Sequence, residues 1–280
     1  MPHARGAWRA GRAAIGRMLL MTTLLLVALG FGPAARAGRS CDQRPPTIDQ
    51  VRQGLALAQA TARALEAGHA QVVVVGRAGQ DLSAHRLQWS HLAFAYRLPA
   101  EGDEPARWRV VHKLNHCGSA EAALYRQGLA EFFLDDPHRY EAVIAPVDRG
   151  LEARLLALLQ DDRLVTAVHE PAYNMVAYPW STRYQQSNQW LLETLAVAAA
   201  PGVTTRRQAQ AWLQLKAYTP TVLRLDAGTR LGARIARANV AFDDHPTGER
   251  FADRIATVSA DSVLDWLPVA GLGGPAQVVR

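Results

Sequence analysis

The pattern of apolar and polar residues first becomes regular at Thr47, where it takes the period of an α-helix. From there to Ala67 the apolar residues recur at spacings of three and four, which places them on one helix face. They are Ile48, Val51, Leu55, Ala58, Ala62 and Leu65. Thr47 followed by Gln50 is a capping-box sequence, and Gly68 is a typical helix stop. The pattern predicts one amphipathic helix over residues 47–67.

Three later segments have the composition and period of β-strands. Gln71–Val75 contains a run of valines, which is typical of a buried strand. The segments 91–96 and 108–114 alternate with period two, so His91 opens one strand and His112 lies on the same face as Trp108 in the other. Turn-forming prolines and a glycine separate these two segments. The sequence therefore predicts an antiparallel hairpin.

The rest of the chain mixes helices and strands. Helices are predicted over residues 119–133, 151–159, 187–200, 205–218 and 230–239, with a last helical turn capped by Asp261 or Ser262. Strands are predicted over residues 173–178 and 256–259. Because a regular βαβ alternation is absent, the predicted fold class is α+β, with an antiparallel sheet packed against helices and extra helices on the C-terminal side.

The first 37 residues have the features of a secretory signal peptide. Arginines precede the apolar stretch Met18–Phe31, which is short for a membrane span, and Ala35-Arg36-Ala37 is a small-x-small cleavage site. An uncleaved anchor is the alternative. The sequence thus predicts a signal peptide at 1–37, a single α+β domain at 38–280, and a periplasmic or secreted location.

This leader changes what the net charge implies. The whole chain carries +6, but five arginines and no acidic residues lie in residues 1–37. Residues 38–280 therefore hold 26 basic and 25 acidic side chains. That balance argues against a nucleic-acid partner, and no second membrane span is predicted. In an oxidising compartment, Cys41 and Cys117 would most simply form a disulfide; the alternative is a reactive Cys117.

The candidate chemistry combines strand histidines with a serine at a helix start. Ser187 opens the predicted helix 187–200, where the helix dipole and free backbone N–H groups favour developing negative charge. His91 could act as the base, and His112 on the neighbouring strand could orient His91, with Asn115 a weaker choice. Ser187, His91 and His112 together predict nucleophilic catalysis.

Plainer roles are open to the same residues. Ser187 could simply cap its helix. His91 could be a hydrogen-bonded strand residue, and His112 could be a core histidine with its hydrogen bonds satisfied. Cys117, followed by Gly118 and a predicted helix, is an alternative nucleophile.

Two acidic turns and one aromatic group were also candidates for binding. The turns could hold a divalent metal through Asp243, Asp244 and His245 with help from Asp135, Asp136 or His138. Because aspartates in such turns usually hydrogen-bond to local backbone, no metal site is predicted, and no cofactor is predicted either. The aromatic residues that could line a sugar or peptide groove are Trp180, Tyr184 and Trp190, although helical spacing favours a core position for Trp190.

Two stretches resemble circularly permuted NlpC-type papain-like hydrolases. Arg77–Ser83 followed by Trp89–Arg97 is similar to their histidine element, and Tyr184–Glu193 is similar to the start of their nucleophile helix. Ser187 stands where those proteins have cysteine, or Asn188 does if the alignment shifts by one. The resemblance implies a permuted papain-like core. A serine needs a better-oriented base than a cysteine does, so an inactive fold is the competing implication.

Nearly all of residues 38–280 also resembles an exported bacterial family known as domain of unknown function 2145. The segments that carry this resemblance are Arg77–Arg97, His112–Gly118, Leu124–Leu129, Phe132–Asp136, Tyr173–Trp180, Tyr184–Glu193 and Asn239–Pro246. This family implies no established activity. The expected function is a papain-like hydrolase acting on a cell-envelope peptide, amide or ester. The alternative is an inactive periplasmic binding or scaffolding module with the same fold.

Overall fold

Residues 45–135 and 137–280 are described by a computed structural model, and all of them lie in one compact unit. The predicted signal peptide and Cys41 lie outside the described residues. The helices are α1 (Ile48–Ala67), α2 (Leu129–Phe133), α3 (Arg149–Gln160), α4 (Asp162–Val165), α5 (Ser187–Ala199), α6 (Arg206–Leu215), α7 (Ala227–Ala236), α8 (Thr247–Phe251) and α9 (Ala260–Val269). The strands are β1 (Val72–Ala78), β2 (His91–Leu98), β3 (Arg107–Asn115), β4 (Ala122–Gly128), β5 (Arg139–Pro146), β6 (Thr221–Arg224), β7 (Arg254–Thr257) and β8 (Gln277–Val279).

The strands of the described residues form two sheets. The larger has six strands in the order β4-β3-β2-β1-β5-β8, and every neighbouring pair is antiparallel. The smaller pairs β6 with β7. Helices and an antiparallel sheet together confirm the predicted α+β class, and the papain-like permutation stays a prediction.

Both faces of the large sheet are covered by helices. Alternation along β2 sends Phe94 to a face that packs against α3, α5, α6 and α9, and sends Ala95 to a face that packs against α1 and α2. The sheet is therefore the middle layer of three. This explains the valine run of β1, whose seven residues are all buried, because a strand covered on both faces has no polar side.

The first helix and the central hairpin are confirmed. Thr47 caps α1 with the predicted capping box, in which the Gln50 side chain accepts from the Thr47 backbone N–H. β2 and β3 pair antiparallel from Phe94–Val111 to Leu98–Arg107. The predicted helices at 151–159, 187–200, 205–218 and 230–239 correspond to α3, α5, α6 and α7. The last helical turn is part of α9, but Ser259 caps it rather than Asp261 or Ser262.

The helix predicted over residues 119–133 is wrong. Ala122–Gly128 is instead the strand β4, which pairs with β3 from Asn115–Ala122 to Arg109–Gly128, and only the five residues of α2 are helical. The chain turns back beside β3 just before Ala122, so the unpaired backbone groups of β3 draw this segment into the sheet. Cross-strand pairing outweighs the local helix propensity here.

The strand predicted over residues 173–178 is also wrong. The Asn174 side chain accepts from the backbone N–H groups of Val176 and Ala241, which holds the segment in turns. The strands β5, β6 and β8 did not follow from the residue pattern. None of the described helices has the length and apolar character needed to cross a bilayer.

Candidate functional site

Two histidines are joined at the start of the central hairpin. His91 Nε2 lies 2.8 Å from His112 Nδ1, and their rings meet edge to face with centroids 5.1 Å apart. His112 is fully buried, and the Phe132 ring of α2 packs against both imidazoles. Neighbouring strands thus hold the two side chains on one face of the sheet, as the alternation predicted.

A glutamine on the edge strand fixes the proton positions of this pair. His112 Nε2 donates to Gln127 Oε1 on β4 at 2.9 Å. Burial, helped by the nearby Arg77 charge, lowers the pKa of His112 to about 4, so its ring is neutral at pH 7. With its proton on Nε2, His112 accepts at Nδ1 from His91 Nε2–H. The basic nitrogen of a neutral His91 is then Nδ1.

The helix start is capped by Gln186 rather than by Ser187. Gln186 Oε1 accepts from the Asn188 backbone N–H at 2.9 Å, and Gln186 Nε2 donates to the Val258 carbonyl. Ser187 is therefore the first helical residue of α5, and it is buried. Burial raises the pKa of the Tyr173 hydroxyl, which lies close to the Ser187 side chain. Capping is not the role of Ser187.

Asn188 ties α5 to the strand that carries His91. Its Oδ1 accepts from the Leu92 backbone N–H at 2.9 Å, and its Nδ2 donates to the Ser90 carbonyl at 3.5 Å. These partners flank His91 on either side. The start of α5 and the start of β2 are thus in direct contact, and the amide of Asn188 is occupied by this contact.

His91 and Ser187 line one cavity of about 410 Å³. Tyr173, Gln186 and Asn188 share its wall. His112 is not among its lining residues and contacts His91 instead. Sequence separation hides this arrangement, because 95 residues lie between His91 and Ser187. The fold therefore brings His91 and Ser187 to one cavity and places His112 in contact with His91.

Residues 64–267 match a family model described as an uncharacterized protein conserved in bacteria (DUF2145). The chain belongs to this family. The matched range contains the histidine pair, Gln127 and the start of α5. No curated protein and no solved structure matches the chain.

A buried polar cluster anchors α5 of this DUF2145 protein from behind. Glu193 is fully buried, and its carboxylate accepts from Arg206 Nε at 2.8 Å, Gln210 Nε2 at 2.7 Å and Gln185 Nε2 at 2.5 Å. Lys113 Nζ on β3 donates to Gln185 Oε1 at 2.9 Å. Burial, together with the Arg206 charge, lowers the pKa of Lys113 to about 7. The cluster links α5, α6 and β3, and so fixes where Ser187 lies.

The weaker sequence candidates have other partners. The Asn115 amide donates to the Ser119 and Glu121 carbonyls at 2.9 and 2.8 Å, so it does not orient His91. Cys117 is absent from the described lining of the cavity. Its pairing with Cys41 stays a prediction, because Cys41 lies outside the described residues; thiol titration under denaturing, non-reducing conditions tests it.

The aspartates in the acidic turns of the DUF2145 protein form hydrogen bonds and ion pairs with other groups of the same chain. Asp244 accepts from the Tyr178 backbone N–H at 2.8 Å and contacts His245 Nδ1 at 2.9 Å, while Asp243 pairs with Arg183. Asp135 pairs with Arg77, and Asp136 lies outside the described residues. Among the described residues no group of three or more His, Cys, Asp or Glu side chains is arranged to hold a metal ion.

The predicted aromatic group does not line the described wall of this cavity. Trp190 is fully buried and packs edge to face on Phe94, in the core. Trp180 packs against Tyr218. The residues that sequence reasoning missed are Gln127, Tyr173 and Gln186. Gln127 was hidden by the wrong helix assignment, and glutamine is not among the usual helix caps.

Proposed function

We propose that this DUF2145 protein is an exported hydrolase or transferase of papain-like type that acts on an amide or ester in the cell envelope. The observation that carries the proposal is that His91, hydrogen-bonded to His112, lines one cavity with Ser187, the first residue of a helix that contacts the strand bearing His91. The pattern of residues 1–37 supports export. A nucleophile, a base and a group that orients the base are the elements that acyl transfer needs.

The proposed reaction proceeds in two steps. Ser187 Oγ attacks the carbonyl carbon, its proton passes to His91 Nδ1, and the leaving group takes that proton as the carbon–nitrogen or carbon–oxygen bond breaks. Water, or another acceptor, then attacks the resulting ester and regenerates Ser187. The first step requires the Ser187 hydroxyl to come within hydrogen-bond distance of His91 Nδ1.

The surroundings of the three residues suit these roles. A neutral His112 that accepts from His91 Nε2–H makes Nδ1 the nitrogen at which a neutral His91 would take the proton of Ser187. His112 remains neutral throughout and acts by orientation. The first N–H groups of a helix have no partner within the helix. At the start of α5 the Asn188 N–H donates to Gln186 Oε1, so the backbone N–H of Ser187 is the group proposed to stabilise an oxyanion that forms on the substrate.

The test is covalent labelling of the purified protein with a fluorophosphonate probe, together with turnover of peptidoglycan fragments and of ester substrates. We expect the probe to modify Ser187, and we expect His91→Ala to slow labelling by about 100-fold because the base is lost. Ser90→Ala is the matched control, since Ser90 lines the same cavity but its hydroxyl accepts from the Gly79 N–H.

Labelling that is equal in the wild type and in Ser187→Ala would overturn the assignment of the nucleophile. Labelling and turnover that are both unchanged in His91→Ala would overturn the assignment of the base. Loss of labelling in Ser90→Ala with full labelling of Ser187→Ala would transfer the role to Ser90.

A binding module without catalysis is the second candidate function. It is favoured by the position of Ser187, whose side chain lies close to the Tyr173 hydroxyl and has no hydrogen bond to His91 among the contacts of the described residues. Ser187→Cys separates the two functions. A thiol at a helix start that shares a cavity with His91 should have a lowered pKa and react with iodoacetamide at pH 6. We expect this reactivity, and we expect His91→Ala to remove it; a thiol that reacts only above pH 8 would instead favour the binding module.

A further inference from the structure

The helix α7 turns its apolar side away from the protein. Leu231 and Ile235 are 62% and 61% exposed, although a helix of a globular domain normally buries such residues. On the opposite side, Ala233 packs partly against the small core formed by Val240, Phe242 and Ile255. No residue of α7 is fully buried.

Small residues extend the apolar side and arginines border it. At about 100° per residue, Gly228 and Gly232 fall on the same side as Leu231 and Ile235, and Arg234 falls at its edge. The sequence from Ala227 to Phe242 contains no acidic residue. Arg230 is paired with Asp253, whereas Arg234 and Arg237 are exposed.

We infer that this side of α7 is a docking surface for an anionic lipid bilayer. An amphipathic helix with an apolar side and arginines along its edge can lie in the plane of a membrane surface, where apolar burial and attraction to anionic headgroups add together. A second copy of the chain fits less well, because pairing two α7 helices would bring arginines together with no acidic residue on either helix to oppose them.

Docking at this surface would place the cavity near the bilayer. Leu223 of β6, which precedes α7, and Asn239, which follows it, both line the cavity. The inference extends the proposed function by locating it at a membrane surface. It does not depend on catalysis, because binding is measured without turnover.

The experiment is co-sedimentation of the exported protein with vesicles, after mass spectrometry has shown that residues 1–37 are absent. Vesicles of phosphatidylcholine alone are compared with vesicles that contain phosphatidylglycerol. We expect binding only to the anionic vesicles, weakened by salt. Leu231→Ser with Ile235→Ser should lower binding at least tenfold, and Arg234→Gln should lower it about fivefold.

The matched control is Leu215→Ser with Val269→Ser, which removes two apolar side chains that are even more exposed, at 80% and 84%. This control should bind vesicles as the wild type does. Equal binding to neutral and anionic vesicles, or equal loss in both double variants, would overturn the inference. A dimer in the absence of lipid that only the Leu231 and Ile235 variant disrupts would also overturn it, and would assign α7 to self-association.

Discussion

At the scale of single residues, His112 is a buried neutral histidine whose two ring nitrogens both have partners. It accepts from His91 and donates to Gln127, and the Phe132 ring covers it. Burial therefore does not leave a polar atom unsatisfied, but it does oppose protonation. The cost of protonating His112 makes the stability of the fold depend on pH.

The free energy of unfolding should fall as the pH drops from 6.5 to 4. In this window the unfolded chain protonates His112 near its ordinary pKa of 6.5, while the folded chain does so only at about 4. The stabilisation is therefore complete above pH 6.5 and is lost toward pH 4, by about 3 kcal/mol. Urea unfolding at several pH values measures this loss.

The variant His112→Gln should make the same curve flatter by about the same amount. His169, whose pKa is also lowered to about 4 by burial and by the Lys113 charge, stays in both proteins as a common background. Curves of equal steepness would show that His112 is protonated with equal ease in the folded and unfolded chain.

Sequence reasoning identified part of this site for a physical reason. Period-two alternation fixes which strand residues share a face, so the positions of His91 and His112 followed from their spacing to neighbours. The partner Gln127 did not follow, because a segment with good helix propensity gives no local sign that an edge strand will capture it. Contact between α5 and β2 also needs the three-dimensional fold.

At the scale of elements, α5 is held by charge as well as by packing. It is apolar on most of its surface, yet Glu193 in its middle is fully buried and paired with Arg206 at the start of α6. A buried carboxylate that loses its cationic partner is strongly destabilising, because its desolvation is no longer offset. The position of Ser187 thus depends on an ion pair between α5 and α6.

Arg206→Met should lower the free energy of unfolding by about 3–5 kcal/mol. The control is Arg52→Met, which removes an exposed ion pair with Asp49 on α1 and should cost less than about 1 kcal/mol. Denaturant unfolding at pH 7 compares the two variants. Equal losses would mean that Glu193 is stabilised by Gln185 and Gln210 alone.

At the scale of the whole molecule, strand pairs that are close in sequence were easier to predict than pairs that are distant. The central hairpin is local, and a turn sequence signals it. By contrast, β5 lies next to β1 although about 60 residues separate them in the chain. The small separate sheet depends likewise on contacts across some 30 residues. Such pairings are determined by packing in the common core, and no periodic pattern in the sequence signals them.

The three-residue strand β8 also affects how copies of the protein associate with one another. It pairs with β5 from Ala142–Val279 to Ile144–Gln277, and Arg280 adds an ion pair with Glu141. An uncovered strand edge is a template for intermolecular pairing, and short terminal strands are one protection against it. Deleting residues 276–280 should therefore promote aggregation through β5, seen as concentration-dependent growth in light scattering. A truncated protein that stays monodisperse at high concentration would show that other features protect the edge of β5 from intermolecular pairing.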